Sequence, residues 1–307
     1  MFRQVLITGG TGSLGTSLLE KYYDEWNFII ISRDEYKQAI LKQKYPKAKF
    51  VIGNVSNYDD LQRTYYEKNY YCFGAAFDTI IHAAALKRIE VAEQFPTEAV
   101  RTNILGAANV VKFAQEYGIS KVLAISTDKA VEPANVYGAT KMIQERIFTE
   151  AGFNVVRYGN IFGSRGSVVE IWDKSDDINI THPDMTRFVL TLKDALALIN
   201  HGLGYGKLDG KGCIIVKKSP SMRLMDLAAA FEKKYEIKGI TQGEKLHETL
   251  VSTEEMTRSS EITKGYITIN KKPHKDYAPS YNSKDNEFLS IGELKEMIEE
   301  WRISKLL

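Results

Sequence analysis

The 307-residue sequence predicts an α/β protein built on a doubly wound parallel sheet, with a smaller C-terminal lobe that binds substrate. Three observations carry this. Residues 4–8 form a short apolar run; Gly9-Gly10-Thr11-Gly12-Ser13-Leu14-Gly15 follows, and then Leu18, Leu19 and Tyr22 recur at helical spacing. That is the strand, glycine turn and helix that open a Rossmann-type unit. Strand-like runs at 28–31, 49–54, 79–82, 121–126 and 154–158 then alternate with helical patterns, the mark of a parallel sheet covered on both faces. Finally, Ser-Thr-Asp-Lys-Ala-Val-Glu-Pro-Ala-Asn-Val-Tyr-Gly-Ala-Thr-Lys (126–141) follows the buried run 122–125 and leads into a helix over 138–148. Thr127, Asp128 and Lys129 then stand at the C-terminal end of a strand, where open parallel sheets bind ligands.

Bulk properties narrow the function. The 41 basic and 39 acidic residues leave a net charge of +2, which implies no attraction to nucleic acid or membrane. Cys72 and Cys213 lie in no metal-binding or disulfide pattern, so no metal is expected and a reducing cytoplasm fits. No apolar run reaches transmembrane length, and a strand at the N-terminus argues against a signal peptide. Residues 1–159 read as the dinucleotide-binding unit, completed by segments near 186–217, and 160–307 as mainly the substrate lobe.

In the glycine turn, Thr8, Gly9, Gly12, Ser13, Leu14 and Gly15 are the candidate contacts to a pyrophosphate, because the backbone approaches closely and the helix start supplies N–H donors. The second strand ends in Ser32-Arg33-Asp34-Glu35. An acidic residue there takes the ribose hydroxyls of NAD, whereas an arginine takes the 2′-phosphate of NADP. Ser32, Arg33 and Lys37 favour NADP; the alternative is that Asp34 turns inward to the ribose. Asn54 ends the third strand, with Val55 next, and meets the adenine edge. A helix begins at the Asn57 cap and runs to 68; the aromatic-rich connection 69–77 has no reading. Ala83, Ala84 and Ala85 after the fourth strand allow a flat ligand close to the backbone. His82 reads as a packed histidine, and Lys87 faces solvent or a phosphate. Residues 95–117 read as one long helix in which Asn103, polar and buried, fixes a neighbouring loop. Tyr137 and Lys141, four apart, share a helix face. A lysine one turn away favours the phenolate, a base for alcohol oxidation beside a nicotinamide.

After Gly159 the rhythm breaks. Residues 160–169 form a loop with Arg165; Arg187, Arg223 and Arg258 follow in separate polar stretches, and together they could converge on a diphosphate, the alternative for each being an ordinary surface residue. Residues 243–248 are a polar loop of mixed charge, 270–287 a long loop and 291–301 an amphipathic helix. The helices at 95–117 and 136–150 can pair across a two-fold axis, so a homo-oligomer is expected.

Several stretches together resemble the extended short-chain dehydrogenase/reductase superfamily. They are Thr-Gly-Gly-Thr-Gly-Ser-Leu-Gly (8–15), Ser-Arg-Asp-Glu-Tyr-Lys-Gln (32–38), His-Ala-Ala-Ala-Leu-Lys (82–87), Ser-Thr-Asp-Lys-Ala (126–130), Tyr-Gly-Ala-Thr-Lys (137–141), Arg-Tyr-Gly-Asn (157–160), Gly-Ser-Arg-Gly-Ser-Val (163–168) and Gly-Glu-Lys-Leu-His-Glu (243–248). Within it the chain resembles the soluble, C5-inverting UDP-N-acetylglucosamine 4,6-dehydratases, from Val5 to about Leu250. Asp128-Lys129 stands where nucleotide-glucose dehydratases carry Asp-Glu, and Tyr137 where membrane-bound and some retaining relatives carry Met. Asn54 replaces the usual Asp, and Arg223 replaces a frequent Lys.

The resemblance implies NADP as cofactor, held also by Tyr137, Lys141 and Lys87. It implies a UDP-sugar held by Lys87, Asn160, Arg165, Ser167, Val168, Arg187, Arg223 and Arg258. It implies that Tyr137, helped by Lys141 and Thr127, takes the C4 hydroxyl proton. Lys129, kept partly neutral, would take the C5 proton, and a protonated Asp128 would assist loss of the C6 hydroxyl. A UDP-sugar C4-epimerase, or a non-catalytic NADP-binding regulator, are the competing readings.

Overall fold

The computed structural model describes residues 3–70, 78–206, 210–263, 265–270 and 276–306. The first half runs β1 (Arg3–Thr8), α1 (Ser13–Tyr22), β2 (Trp26–Ser32), α2 (Glu35–Lys44), β3 (Lys49–Ile52), α3 (Tyr58–Tyr70) and β4 (Thr79–His82). It continues through α4 (Ile89–Gln94), α5 (Pro96–Ala99), a π-helical stretch (Val100–Leu105), α6 (Gly106–Glu116), β5 (Lys121–Thr127), a 3-10 turn (Asp128–Ala130), α7 (Val136–Glu150) and β6 (Asn154–Tyr158). The second half holds β7 (Asn160–Ile161), α8 (Val168–Lys174), β8 (Ile178–Ile180), β9 (Thr186–Leu190), α9 (Leu192–Gly204), β10 (Ile214–Lys217), β11 (Ser221–Arg223) and α10 (Leu224–Phe231). It closes with β12 (Tyr235–Ile237), β13 (Thr249–Val251), α11 (Thr253–Met256), β14 (Ser259–Thr263), β15 (Tyr266–Ile269), β16 (Tyr281–Asn282) and α12 (Ile291–Leu306).

The main sheet has nine strands in the order β14-β15-β10-β6-β5-β4-β1-β2-β3. Every pair from β10 to β3 is parallel. Successive side chains point to opposite faces, so each strand feeds two apolar layers. Leu6, Ile80, Phe113 and Phe148 lie in one layer, and Val5, Ile7, Leu18 and Ile199 in the other. The chain builds outward from β1 through β2 to β3, then restarts at β4 on the other side of β1. That reversal opens a crevice at the C-terminal ends of β1 and β4. A third cluster, with Trp172, Met222, Phe231 and Ile298, is the core of the smaller lobe.

Residues 96–116 run as one continuous helix, close to the expected 95–117: Phe95 sits outside helical geometry at φ −126°, and Pro96 starts the helix, since its ring and missing N–H suit a first turn. A π-helical stretch lies inside it, with helical φ and ψ at both joints to α5 and α6. Two other elements differ from the sequence expectation. The sheet is extended by β10 and, beyond it, by the antiparallel hairpin β14–β15 from much later in the chain. The stretch 270–287 carries β16, which pairs with β13. The connection 69–77 lies mostly outside the described residues, as does Cys72. Cys213 is buried, which pushes its thiol up to about 12 and leaves it unreactive. Among the described residues no helix is long and apolar enough to cross a membrane.

Arg157 on β6 is 1% exposed and ties several of these elements together. Its guanidinium donates to Glu145 on α7 at 2.6 and 2.9 Å, and to Glu255 on α11 at 2.7 and 2.8 Å. It also donates to the Leu250 carbonyl at 2.8 Å. Glu255 closes a capping box with Ser252, and Glu145 accepts from Ser126 on β5 at 2.6 Å. Burial disfavours the charged guanidinium, but the two carboxylates outweigh it. Arg157→Met leaves two buried carboxylates without their partner and is expected to cost about 3–5 kcal/mol. Urea unfolding checks this; a loss within the error of the midpoint contradicts it.

Candidate active site

The glycine turn presses against the end of β4. Gly9 has φ +69°, and a Cβ there would lie 2.7 Å from Ala84 Cα. A Cβ on Gly15 would lie 2.3 Å from Gly10 O. Only glycines allow the turn to close this tightly and leave the start of α1 facing the crevice, with no acidic residue in its first turn. This backbone cradle fits a dinucleotide pyrophosphate. Ala83 N donates to Thr8 O, and Thr8 Oγ1 lies 2.8 Å from His82 Nδ1. His82 is fully buried, stacks on Phe148, and is driven down to about 3 by burial, with Lys141 adding to the effect. It is the packed, neutral histidine that the sequence suggests. Asn103 also behaves as expected: it bonds both backbone polar groups of Leu86 and the Thr140 hydroxyl, fixing the loop after β4 to α7.

At the end of β2, the buried Ser32 hydroxyl and carbonyl both accept from Gln38. Arg33 is exposed. Asp34 does not turn inward; it caps α2 by accepting from Lys37 N at 2.9 Å. The Lys37 ammonium pairs with the same carboxylate. Asn54 Oδ1 accepts from Ser56 N, and Val55 is buried with its carbonyl bonded to Asn109.

The smaller lobe reaches over the glycine turn through Arg165. Its backbone N donates to Ser13 Oγ at 3.2 Å, its guanidinium to Thr11 O at 3.4 Å, and its carbonyl accepts from Lys87 Nζ at 3.5 Å. Trp301 of α12 braces this loop by donating to Gly163 O at 2.8 Å. Lys87, Arg88, Arg165 and Gly166 line a cleft of about 320 Å³. Partial burial, then Arg165 and Arg88, hold the Lys87 ammonium below its usual range. Ser167 caps α8, Val168 begins it, and Asn160 lies on β7 beside β9.

The other arginines do not converge there. Arg187 is buried and donates to Thr186 O and Leu246 O. Arg223 is on an exposed edge, paired with Asp226 and lying over the Phe288 ring at 4.0 Å. Arg258 is a correction. It is 5% exposed, bonded to Glu254 and to Asn270 O and close to Glu255. Asn270 follows Ile269, which pairs with Ile214 at the start of β10. Arg258 therefore sits toward the N-terminal edge of the parallel strands, and its fork is already filled by the fold.

At the end of β5 the expected groups assemble. Thr127 caps the 3-10 turn and donates to Asp128 Oδ1 at 2.9 Å. A Cβ on Gly138 would lie 2.1 Å from Lys129 O, so the start of α7 packs directly on that turn. Tyr137 is 9% exposed; burial pushes its phenol up to about 12, against the pull of Lys129 and the Thr127 hydroxyl. Lys141 shares the helix face but does not supply that pull. Its Nζ donates to Ile125 O at 2.5 Å and Gln144 Oε1 at 2.7 Å, because its stem runs along α7 toward the β5 backbone. Burial lowers it to about 7, against Glu145.

Lys129 corrects a second expectation. Its Nζ lies 3.0 Å from Asp128 Oδ1 and 3.3 Å from Glu248 Oε1. Burial alone would neutralise it, but the two carboxylates hold it charged, above the ordinary lysine range. Glu248 is the site residue that sequence reasoning missed. Its signal was the motif Gly-Glu-Lys-Leu-His-Glu, read only as a polar loop and a family marker. That loop is stapled beside the site by Asn135 Nδ2 to Gly243 O and Lys245 Nζ to Val131 O, each at 2.8 Å.

Comparison with known proteins agrees with this construction. The family model described as polysaccharide biosynthesis protein matches residues 5–270. The chain is 37% identical to a UDP-N-acetylglucosamine 4,6-dehydratase (inverting) of Campylobacter jejuni, over 96% of this chain and 88% of that one. It is 35% identical to a UDP-glucose 4-epimerase of Rickettsia bellii, over 96% and 95%. The X-ray structure of Pen from Bacillus thuringiensis superposes with a TM-score of 0.87 at 31% identity, covering 99% of this chain and 98% of that one. With the glycine cradle, the switch-point crevice and the Thr127–Tyr137–Lys141 set in place, the chain belongs to the polysaccharide biosynthesis protein family and has the extended short-chain dehydrogenase/reductase fold of epimerases and dehydratases.

Proposed function

We propose that the chain is a cytoplasmic UDP-N-acetylglucosamine 4,6-dehydratase that inverts C5 and yields a UDP-4-keto-6-deoxy-L-arabino-N-acetylhexosamine for glycan or nonulosonic acid synthesis. The observation that carries this is the buried Asp128–Lys129 pair beside Tyr137 at the end of β5. Oxidation and reduction at C4 need only the tyrosine and its partners. A second proton-moving pair has a use when a C5 proton and a C6 hydroxyl must both leave. The inverting dehydratase among the relatives supports the reading. The Rickettsia relatives named UDP-glucose 4-epimerase favour C4 epimerisation as the second reading.

The cradle of Gly9, Gly12 and Gly15 fits a nicotinamide dinucleotide, with Ser32 and Arg33 at its ribose end. When bound, that cofactor supplies hydride acceptance at C4 and hydride return at C6. Tyr137 takes the C4 hydroxyl proton, and Thr127 and Lys129 ease the ionisation of its phenol. The resulting ketone acidifies the C5 proton. Asp128 and Lys129 then carry the transfers at C5 and C6: C5 loses its proton, its bonding pair becomes the C5–C6 double bond, the C6 oxygen takes a proton and departs as water, and C5 finally regains a solvent-exchanging proton on the opposite face, which inverts it. Lys87 and Arg165 hold the diphosphate across the cleft, and Arg187 stands behind the reacting sugar. Exposed Val100, Leu105, Met142 and Ile143 on the π-helical stretch and α7 support pairing with a second copy.

Three outcomes are expected. Incubation with UDP-N-acetylglucosamine gives a product lighter by one water, and in D₂O the product carries deuterium at C5; a product of unchanged mass sinks the dehydratase reading in favour of epimerisation. Arg33→Ala weakens NADP binding by roughly tenfold while leaving NAD nearly unchanged, as loss of one charged phosphate contact predicts; equal losses by titration calorimetry remove the NADP argument. Light scattering reports a dimer or larger, and Leu105→Glu shifts it toward the monomer; a wild-type monomer at working concentration contradicts the assembly.

A further inference from the structure

Four charged side chains meet in one buried place at the end of β5. Asp128 is 0% exposed, Glu248 2% and Arg187 7%, and the Lys129 side chain is 17% exposed. Lys129 Nζ lies between the two carboxylates, and Arg187 Nε stands 3.9 Å from the Glu248 oxygen that faces Lys129. The other oxygens, Asp128 Oδ2 and Glu248 Oε2, are buried without a hydrogen-bond partner. Tyr137 faces the cluster from α7, and Lys245 adds its charge from the loop that carries Glu248. His247 turns away to the Thr186 hydroxyl at 2.8 Å. Two cations and two carboxylates thus balance within a region of low dielectric. Asp128 belongs to the motif that suggests dehydration; Glu248 arrives from a different part of the chain and has no role assigned so far.

We propose that Glu248 is a positioning residue for Lys129: it fixes that side chain as an ammonium between two carboxylates, so that Lys129 enters each turnover as a proton donor. Without Glu248, Lys129 keeps one carboxylate, faces Arg187, and remains buried, and a buried cation so placed gives up its proton. The donor role rests on the dehydratase reading; the hold on the charge does not. An ammonium gives its proton to the departing C6 oxygen and can take one only after that. Proton count and charge then close over the step: water leaves with the proton Lys129 gave, and the proton lost from C5 returns the site to its starting state. The second buried oxygen of Asp128, without a hydrogen-bond partner within the protein, gives the cluster capacity to receive it.

Two measurements separate this from a merely structural role. In protein labelled with ¹³C at lysine Cε, the Lys129 resonance is assigned by its loss in Lys129→Met and followed from about pH 6 to about 10.5, the ordinary lysine midpoint. It is expected to stay at the ammonium position throughout in the wild type, to titrate inside that range in Glu248→Gln, and to return to wild-type behaviour in Glu248→Asp. The pH profile of water loss is the second. As pH rises a donor is lost, so activity falls on the alkaline side, and in Glu248→Gln that limb moves down by at least about one unit, a tenfold change in the equilibrium. A Lys129 resonance that stays ammonium in Glu248→Gln overturns the proposal. So does an activity lost by the same factor at every pH. If the wild type releases no water from the sugar nucleotide, the dehydratase reading fails, and the lysine titration still decides the role of Glu248.

Discussion

The buried guanidinium of Arg157 is the interaction on which the site depends. It joins β6 to α7 through Glu145 and to α11 through Glu255, and it takes the Leu250 carbonyl at the start of the returning segment. Glu145 also holds Ser126, one residue before Thr127. The helix that carries Tyr137 and Lys141, the strand that ends in Asp128, and the stretch just after Glu248 are thus fixed to one cation. A buried ion of this kind is costly to form and costlier to break, so its geometry is specified sharply. The groups of the proposed site, from the 127–141 stretch and from the distant loop that carries Glu248, inherit that sharpness.

Burial sets the charge states around this frame, and neighbours decide the exceptions. His82 has a hydroxyl beside it and no carboxylate, and is neutral. Lys141 has a backbone carbonyl and an amide oxygen, and sits near neutrality at about 7. Lys129 has two carboxylates and stays charged. Groups of similar intrinsic basicity are driven apart by their surroundings, which is how one pocket can hold both a proton donor and a proton acceptor.

The fold itself does not choose between epimerisation and dehydration, since the same scaffold serves both among the relatives. What differs is the chemistry placed at the end of β5. In either proposed reaction, Tyr137 and Thr127 are the groups assigned to the C4 position. In the proposed mechanism the cluster of Asp128, Lys129, Arg187 and Glu248 adds proton transfers at C5 and C6, beyond the electrostatic help that Lys129 gives Tyr137. The smaller lobe meanwhile brings Arg165 against the glycine turn, braced from behind by Trp301, so both lobes contribute to the crevice.

Sequence alone determined the parallel sheet, the glycine turn, and the placement of Thr127, Asp128 and Lys129 at a strand end. These rest on local rules: apolar runs for strands buried on both faces, glycines where a Cβ would collide, and a short spacing from strand to helix. His82 and Asn103 were legible because a polar group inside an apolar pattern must be packed or bonded. The π-helical stretch at Val100–Leu105 was hidden because the apolar stripe continues across it. The hairpin β14–β15 and the displacement of Arg258 were hidden because strand order is decided by long-range pairing, which leaves no periodic mark. Lys37 and Lys141 stood at the right spacing, yet their ammonium groups took nearer acceptors. The charge of Lys129 was beyond reach for the same reason: Asp128 is its neighbour in sequence, but the second carboxylate, Glu248, is brought in from far along the chain by the fold, into an interior where water screens the pair little.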